Sequence, residues 1–259
     1  MDQHKLGEHK PPDAAQANSP TQQRLRILFR KEEPVKYISH LDLLRAWERT
    51  IRRAGLPLAY SRGFTPHPRI TIAVPLAVGC TGEGEVLDII VMEPCSAQEA
   101  VDALKPVMPC SGERTCISIV SAKEIPLKSP ALATLFRQAT YHITLSDIAE
   151  NEVEHRVTDL LRQEEVPVEF RRKRFDLRPL IGSLQVGSAP THTGREAPPP
   201  EPDILEIERT RPTNCLLKAT LVRDDRGRIG RPDVLLQALG LNEHAQRIHR
   251  QQMVFDEAE

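Results

Sequence analysis

Aromatic residues are scarce in this sequence. Of its 259 residues, 39% are hydrophobic but only 4% are Phe, Trp or Tyr. The core must therefore consist mainly of aliphatic side chains. The scarcity of rings also argues against an RNA-recognition sheet, which reads bases by stacking them on exposed aromatic residues.

Long apolar runs are absent as well. No stretch reaches the roughly eighteen consecutive apolar residues of a membrane-spanning helix. The first residues lack the basic-then-apolar layout of a secretory signal peptide. We therefore expect a cytoplasmic protein with no membrane partner.

Cysteine patterns that hold metals are also missing. The five cysteines are Cys80, Cys95, Cys110, Cys116 and Cys215. None forms C-x-x-C, none has a histidine at zinc-finger spacing, and no C-x-x-x-C-x-x-C run of a radical-SAM cluster is present. We expect reduced, buried thiols.

Glycine patterns for phosphate loops or dinucleotides are absent too, so no cofactor is expected. Three acidic residues, Glu83, Glu85 and Asp88, could hold a divalent ion. A strand edge with solvent-facing acids is the favoured interpretation, and we expect no metal.

A helix is predicted over residues 40–54. Ser39 and Asp42 form a Ser-x-x-Asp pattern, in which the serine hydroxyl caps a free backbone N–H of the first turn. Gly55 ends the helix, and Pro57 prevents its continuation. The predicted apolar face, with spacings of three and four, consists of Leu41, Leu44, Trp47, Ile51 and Ala54.

Four arginines are predicted on the other side of this helix: Arg45, Arg49, Arg52 and Arg53. Their charges repel one another, and only Asp42 and Glu48 are near enough in sequence to relieve them. One interpretation is an ordinary solvated face. The other is a phosphate-binding surface, because the planar guanidinium matches phosphate oxygens.

The loop at residues 60–69 contains three candidate anion-binding residues, Arg62, His67 and Arg69. Pro66 and Pro68 restrict its backbone, and Gly63 offers a position of positive φ. Loops held by regular elements often carry function. The loop is therefore predicted to form one working surface with the helix.

Charge is distributed unevenly around this region. Residues 24–69 contain eleven Lys or Arg and four Asp or Glu, whereas residues 75–113 contain one lysine and seven acids. The whole chain has a net charge of only −1. This contrast predicts a basic patch on an otherwise neutral protein.

A second basic cluster consists of Arg171, Arg172 and Lys173, followed by Arg174. Adjacent cations are commonly a solvated loop. Since an apparent insertion follows, they could equally contact a nucleic-acid backbone. The sequence leaves both interpretations open.

Predicted elements follow the order β-α-β-β-α-β in residues 23–124, with a turn at 79–84. Residues 138–255 repeat the order imperfectly, because the predicted strands, among them those at 167–170 and 204–207, are one too many. A Pro-rich insertion is predicted at about 188–202. Residues 1–22 are expected to be a disordered tail. We predict an α+β fold of two tandem ferredoxin-like units, with helices on one face of antiparallel sheets.

Several patterns together resemble a known bacterial family. They are Ser39-His40-Leu41-Asp42, Arg52-Arg53-Ala54-Gly55, Tyr60-Ser61-Arg62-Gly63-Phe64, Pro66-His67-Pro68, Arg174-x-Asp176-Leu177-Arg178-Pro179 and Gly230-Arg231-Pro232. With them, residues 24 to about 253 resemble the radical-SAM-linked protein family, domain of unknown function 2344. Its members occur fused to or encoded beside radical-SAM proteins, near genes for ribosomal proteins and an RNA-processing endonuclease. The family has no established reaction.

The resemblance implies work on RNA or the ribosome with a radical-SAM partner, since this chain lacks a radical-SAM part of its own. We therefore expect an RNA-binding or RNA-modification accessory module. A protein without catalytic activity of its own is favoured over an enzyme. One alternative is a metal-independent endoribonuclease that uses His40 or His67 beside Arg62. Another is a protein–protein adaptor for a radical-SAM enzyme.

Overall fold

A computed structural model of the chain describes residues 22–109, 116–188 and 214–256. These residues form two compact units. The first contains the described residues up to 75 and those of 85–133, and the second contains those of 76–84 and from 134 onward.

The first unit alternates strands and helices. Its elements are β1 (Gln23–Lys31), α1 (His40–Arg53), β2 (Ile70–Ile72), the later part of β3 (Cys80–Val91), α2 (Ala97–Leu104) and β4 (Ile117–Ile125). In its sheet, β1 lies between β4 and β3, and β2 also pairs with β3. The β1–β4 and β2–β3 pairs are antiparallel.

Alternate residues of β1 contribute to the core of this unit. Leu25, Ile27 and Phe29 are fully buried, because every second side chain of a strand points to the same face. Trp47 of α1 packs edge-on against Phe29, with ring centroids 5.1 Å apart. Aliphatic residues of β3, α2 and β4 supply most of the remaining core.

The second unit contains a four-stranded antiparallel arrangement and a separate two-stranded ribbon. The division between the units falls within a single helical turn, α3 (Leu132–Leu135). The later elements are β5 (Phe136–Leu145), α4 (Glu150–Arg162), β6 (Pro167–Phe170), β7 (Lys173–Asp176), β8 (Ile181–Ser188), β9 (Cys215–Val222), α5 (Pro232–Leu239) and β10 (Ala245–Phe255). The strand order is β10-β5-β9-β8, and β6 pairs only with β7. The first residues of β3, Cys80–Gly82, pair in parallel with β10.

The prediction of an α+β fold with a mainly antiparallel sheet is confirmed, and the described residues include five α-helices. The predicted strand at 167–170 is β6, which pairs only with β7 and forms the separate ribbon. The predicted turn at 79–84 is wrong from Cys80 onward, because that segment extends β3. The predicted strand at 204–207, the tail before residue 22 and nearly all of the Pro-rich insertion lie outside the described residues.

Several charged residues counted in the basic patch or at the acidic edge are partly or fully buried instead. Arg24 and Arg26 of β1 both bind the Asp88 carboxylate of β3, through hydrogen bonds of 2.5 to 3.0 Å. Asp88 is 4% exposed and Glu85 is 1% exposed. Of the three acids predicted at a solvent-facing edge, only Glu83 is exposed, and the Asp88 carboxylate is covered by the two arginines.

The cysteines follow the prediction in part. Cys80, Cys95 and Cys215 form no disulfide bond, and Cys80 and Cys215 are buried. Cys116 is disulfide-bonded, so the expectation of reduced thiols is wrong at that position. No helix among the described residues is both long and apolar enough to cross a membrane.

Candidate nucleic-acid interface

Both ends of α1 are fixed by local hydrogen bonds. The Ser39 Oγ accepts a bond from the Asp42 backbone N–H at 3.2 Å and donates to the Asp42 Oδ2 at 2.7 Å. The hydroxyl bond, with Arg45 nearby, holds the pKa of Asp42 below its ordinary value. At the other end, Gly55 adopts a φ of 75° and the Leu56 N–H bonds the Ile51 carbonyl at 3.2 Å. This closing pattern ends the helix.

The apolar face of α1 is rotated from the predicted one. Leu43, Trp47 and Ile51 are buried, whereas Leu41 is 62% exposed. Leu41 lies two residues before Leu43, which places it about 200° around the helix axis. Including Leu41 in the buried stripe was therefore wrong.

The four helix arginines are exposed, and three of them have weak partners. Arg45 pairs with Asp42 at 3.1 Å and Arg52 with Glu48 at 3.7 Å. Arg53 donates to the Val107 carbonyl at 3.0 Å. The remaining residue, Arg49, makes no side-chain hydrogen bond or ion pair with any described residue. Exposed pairs of this kind contribute little stability and can exchange for a ligand.

The loop after α1 is closed by two bonds at its neck. The Ser61 N–H bonds the His67 carbonyl at 2.8 Å, and the His67 N–H bonds the Ser61 Oγ at 2.9 Å. Just outside this neck, Tyr60 and Pro68 form an isolated β-bridge. Residues 61–67 are all exposed. The loop is therefore exposed at its tip, while hydrogen bonds hold its two ends together.

The base of the loop contacts the basic side of α1. Tyr60 packs against the core, and its hydroxyl lies 3.5 Å from the Glu48 Oε1. Burial raises the pKa of Tyr60, while the nearby Arg52 opposes that shift. Glu48 also pairs with Arg52. The loop and the helix arginines therefore belong to one surface.

The exposed end of the loop combines charge with an aromatic ring. Phe64 is fully exposed, and Gly63 before it adopts a φ of 135°. Arg62 and Arg69 are exposed and have no side-chain partner among the described residues. We define the helix–loop surface as Arg45, Arg49, Arg52, Arg53, Arg62, Phe64 and Arg69.

The two candidate catalytic histidines have different surroundings. His40 is half-buried, which lowers its pKa, and its Nδ1 has no hydrogen-bond partner. His67 is exposed, and its ring makes no hydrogen bond with a described residue. No bond or ion pair joins either ring to the other or to Arg62 within the described residues. The loop contacts the helix at Glu48, which lies about 12 Å along the axis from His40.

The second basic cluster occupies the turn of the β6–β7 ribbon. Arg171 and Arg172 have φ values of 51° and 64°, and Lys173 begins β7. All three are exposed. Two successive positive φ values define a tight two-residue hairpin turn, which is rarely built from arginine. The cluster therefore forms the exposed turn of a hairpin.

Two arginines that the sequence analysis did not select cover the rings of this ribbon. Arg231 lies over Phe170 at 4.7 Å, and Arg228 lies over Phe175 at 5.7 Å. The Gly230-Arg231-Pro232 pattern marks Arg231 in the sequence, but it does not indicate the contact, because Phe170 is about sixty residues away. In the parts of the chain that the structure describes, no group of three His, Cys, Asp or Glu is placed to hold a metal.

Comparisons with known proteins identify a family and no activity. A model of uncharacterized proteins conserved in bacteria, DUF2344, matches residues 24–228. No curated protein matches the chain. Among solved structures, an unknown protein from Galdieria sulphuraria is 9% identical, with 91% of this chain and 99% of that chain covered and a TM-score of 0.23.

Proposed function

We propose that the chain, which belongs to the DUF2344 family of uncharacterized proteins conserved in bacteria, is an RNA-binding accessory protein. It contacts the phosphate backbone through the helix–loop surface and acts with a radical-SAM partner on RNA or the ribosome. It has no catalytic activity of its own.

One observation carries the RNA-binding proposal. Three exposed arginines on the helix–loop surface, Arg49, Arg62 and Arg69, have no side-chain partner among the described residues. A guanidinium offers five N–H donors in a fixed plane, which suits bidentate binding of phosphate oxygens. Unpaired guanidiniums held on an ordered helix and loop are therefore available to a phosphate backbone without loss of an internal bond.

Phe64 adds a second type of contact. A fully exposed ring between Arg62 and Arg69 can stack on an unpaired base while the arginines bind flanking phosphates. This combination favours a single-stranded segment over a regular duplex, whose bases are already stacked on one another.

The radical-SAM partner is proposed from the resemblance to radical-SAM-linked proteins. A cytoplasmic location belongs to the same proposal, because RNA processing takes place there. The Arg171–Lys173 turn is proposed as a further backbone contact, since its three exposed cations are held on an ordered hairpin.

We also propose that both units are ferredoxin-like. In the first unit the strand order is β4-β1-β3-β2, and in the second it is β10-β5-β9-β8. Both orders place the fourth strand of the unit beside the first, then the third and the second, once the β6–β7 ribbon is set aside. Helices lie between the first and second strands and between the third and fourth.

Affinity for a single-stranded RNA, measured against salt concentration, tests the RNA-binding proposal. Arg49→Gln, Arg62→Gln and Arg69→Gln combined should weaken binding and reduce the slope of log K against log salt by about 2, at roughly 0.7 per phosphate contact. A control removes three exposed cations elsewhere: Lys128→Gln, Arg162→Gln and Arg226→Gln. Equal losses in both variants, or no binding by the wild type at low salt, would reject the proposal.

An adaptor role is separated by a pull-down of the radical-SAM partner. In an adaptor, the same unpaired arginines would bind an acidic surface of the partner protein by charge complementarity. A partner that remains bound after nuclease treatment supports the adaptor, whereas one released by nuclease is held through RNA.

A further inference from the structure

A row of polar side chains crosses the sheet of the second unit. His142 of β5 lies opposite His249 of β10 on one side and opposite Lys218 of β9 on the other. The row continues from His249 to Thr81 of β3 and from Lys218 to Gln185 of β8. Directly opposed residues point to the same face, with Cβ atoms about 5 Å apart.

This row lies on the face away from the core of the unit. Its neighbours along the strands, Tyr141, Ile143, Leu217 and Ala219, are buried, and alternate residues point to opposite faces. In contrast, Lys218 and Gln185 are exposed, His142 is half-buried, and the His249 side chain is 13% exposed. A ligand can therefore reach the row.

The His249 ring is held in place by its neighbours. Its Nδ1 lies 2.7 Å from the Thr81 Oγ1, and its Nε2 lies 3.5 Å from a Glu83 carboxylate oxygen. Glu83 also accepts a hydrogen bond from Gln251 at 2.8 Å. Thr81 is only 2% exposed, so its hydroxyl positions the ring and cannot attack a substrate.

The charges that face the two imidazoles are mainly positive. Lys218 faces His142, Arg247 faces His249, and Glu83 is the opposing carboxylate on β3. Thr140 and Thr144, two residues to either side of His142 on β5, and Gln185, opposite Lys218, carry no charge. Burial is the main cause that lowers the pKa of His142 and of His249, and Lys218 and Arg247 lower them further. An anion on this face would oppose those shifts and favour protonation of both rings.

We propose that the row of Lys218, His142 and His249 is a second phosphate-binding site for the RNA strand, and that its affinity increases on protonation of the imidazoles. The mainly positive charge of the groups that face the imidazoles supports a phosphate as the ligand. The inference rests on the proposed function for the identity of the ligand, but it involves a different unit and a different type of side chain. His142, whose ring bonds no described residue, donates to a phosphate oxygen together with Lys218.

The test is the affinity of single-stranded RNA as a function of pH. Backbone phosphodiesters keep their charge from about pH 5 to pH 8, so changes report on the protein. Both histidines are neutral above their ordinary pKa of about 6.5. Affinity should therefore increase as pH falls below that value, by up to about tenfold per pH unit for each proton taken up.

Three substitutions locate the effect: His142→Gln, His249→Gln and Lys218→Gln. The first two should reduce the pH dependence, and the third should lower the salt slope by about 0.7. The controls are His155→Gln and Arg162→Gln, which alter exposed residues of α4. If His249→Gln fails to fold because it loses its Thr81 contact, His142→Gln and Lys218→Gln still test whether the row binds a phosphate.

The outcomes separate the two proposals. RNA binding with a pH dependence unchanged in His142→Gln would overturn the second site and leave the proposed function intact. Loss of pH dependence in His142→Gln, with no effect of the arginine substitutions in the first unit, would support the second site and reject the helix–loop surface. No RNA binding at any pH would overturn both.

Discussion

Asp88→Ala should destabilise the first unit strongly, although this residue lies outside the helix–loop surface. Asp88 is 4% exposed and accepts hydrogen bonds from both Arg24 and Arg26. Its removal leaves two largely buried guanidiniums without their carboxylate. Breaking one buried ion pair in this way typically costs about 3–5 kcal/mol.

The expected cost lies near the lower end of that range. Arg24 also donates to the carbonyls of Ser129 at 2.7 Å and Pro130 at 3.1 Å, and it keeps these bonds in the variant. A loss of about 3 kcal/mol corresponds to a decrease of about 1.5 M in the urea midpoint, for a slope of about 2 kcal/mol/M.

Tryptophan fluorescence provides the assay. Trp47 is the only tryptophan of the chain and is buried against Phe29 in the first unit. Its signal therefore follows unfolding of that unit. The control is Asp102→Ala, an exposed position of α2, which should change stability by less than about 0.5 kcal/mol. A loss below about 1 kcal/mol in Asp88→Ala would refute the view that this cluster is essential to the unit.

Three further predictions concern the helix–loop surface and its histidines. Phe64→Ala should weaken binding of single-stranded RNA by about 1–3 kcal/mol, with unchanged thermal stability, since the ring contacts solvent only. Ser39→Ala should destabilise the first unit by about 1 kcal/mol in urea unfolding, because the α1 cap is lost. Purified protein in chelator should leave cellular RNA intact; cleavage that disappears in His40→Ala or His67→Ala would instead establish the endoribonuclease alternative.

Local patterns predicted α1 well because its signals lie close together in sequence. The cap at Ser39 and the stop at Gly55 are read directly from adjacent residues, and the helix spans His40–Arg53. Its buried face was harder to define, since Leu41 fits the spacing rule but lies on the exposed side. Burial depends on which face meets the sheet, and the spacing of this segment alone does not decide that.

Pairings between distant residues could not be predicted from the sequence. Arg24 and Arg26 were counted in a surface patch, yet their partner Asp88 is more than sixty residues away. The β6–β7 hairpin was missed because its turn consists of Arg171 and Arg172, which carry no signal for positive φ. The row through His142 and His249 depends on strand register, which only the assembled sheet reveals.

Ultraviolet crosslinking of the protein to RNA in its own cells, with the modified peptides identified by mass spectrometry, tests the central claim most directly. The account predicts that RNA is recovered and that the crosslinked nucleotide lies on the loop at residues 60–69, foremost at Phe64. Absence of recovered RNA, or crosslinks that avoid the helix–loop surface entirely, would contradict it.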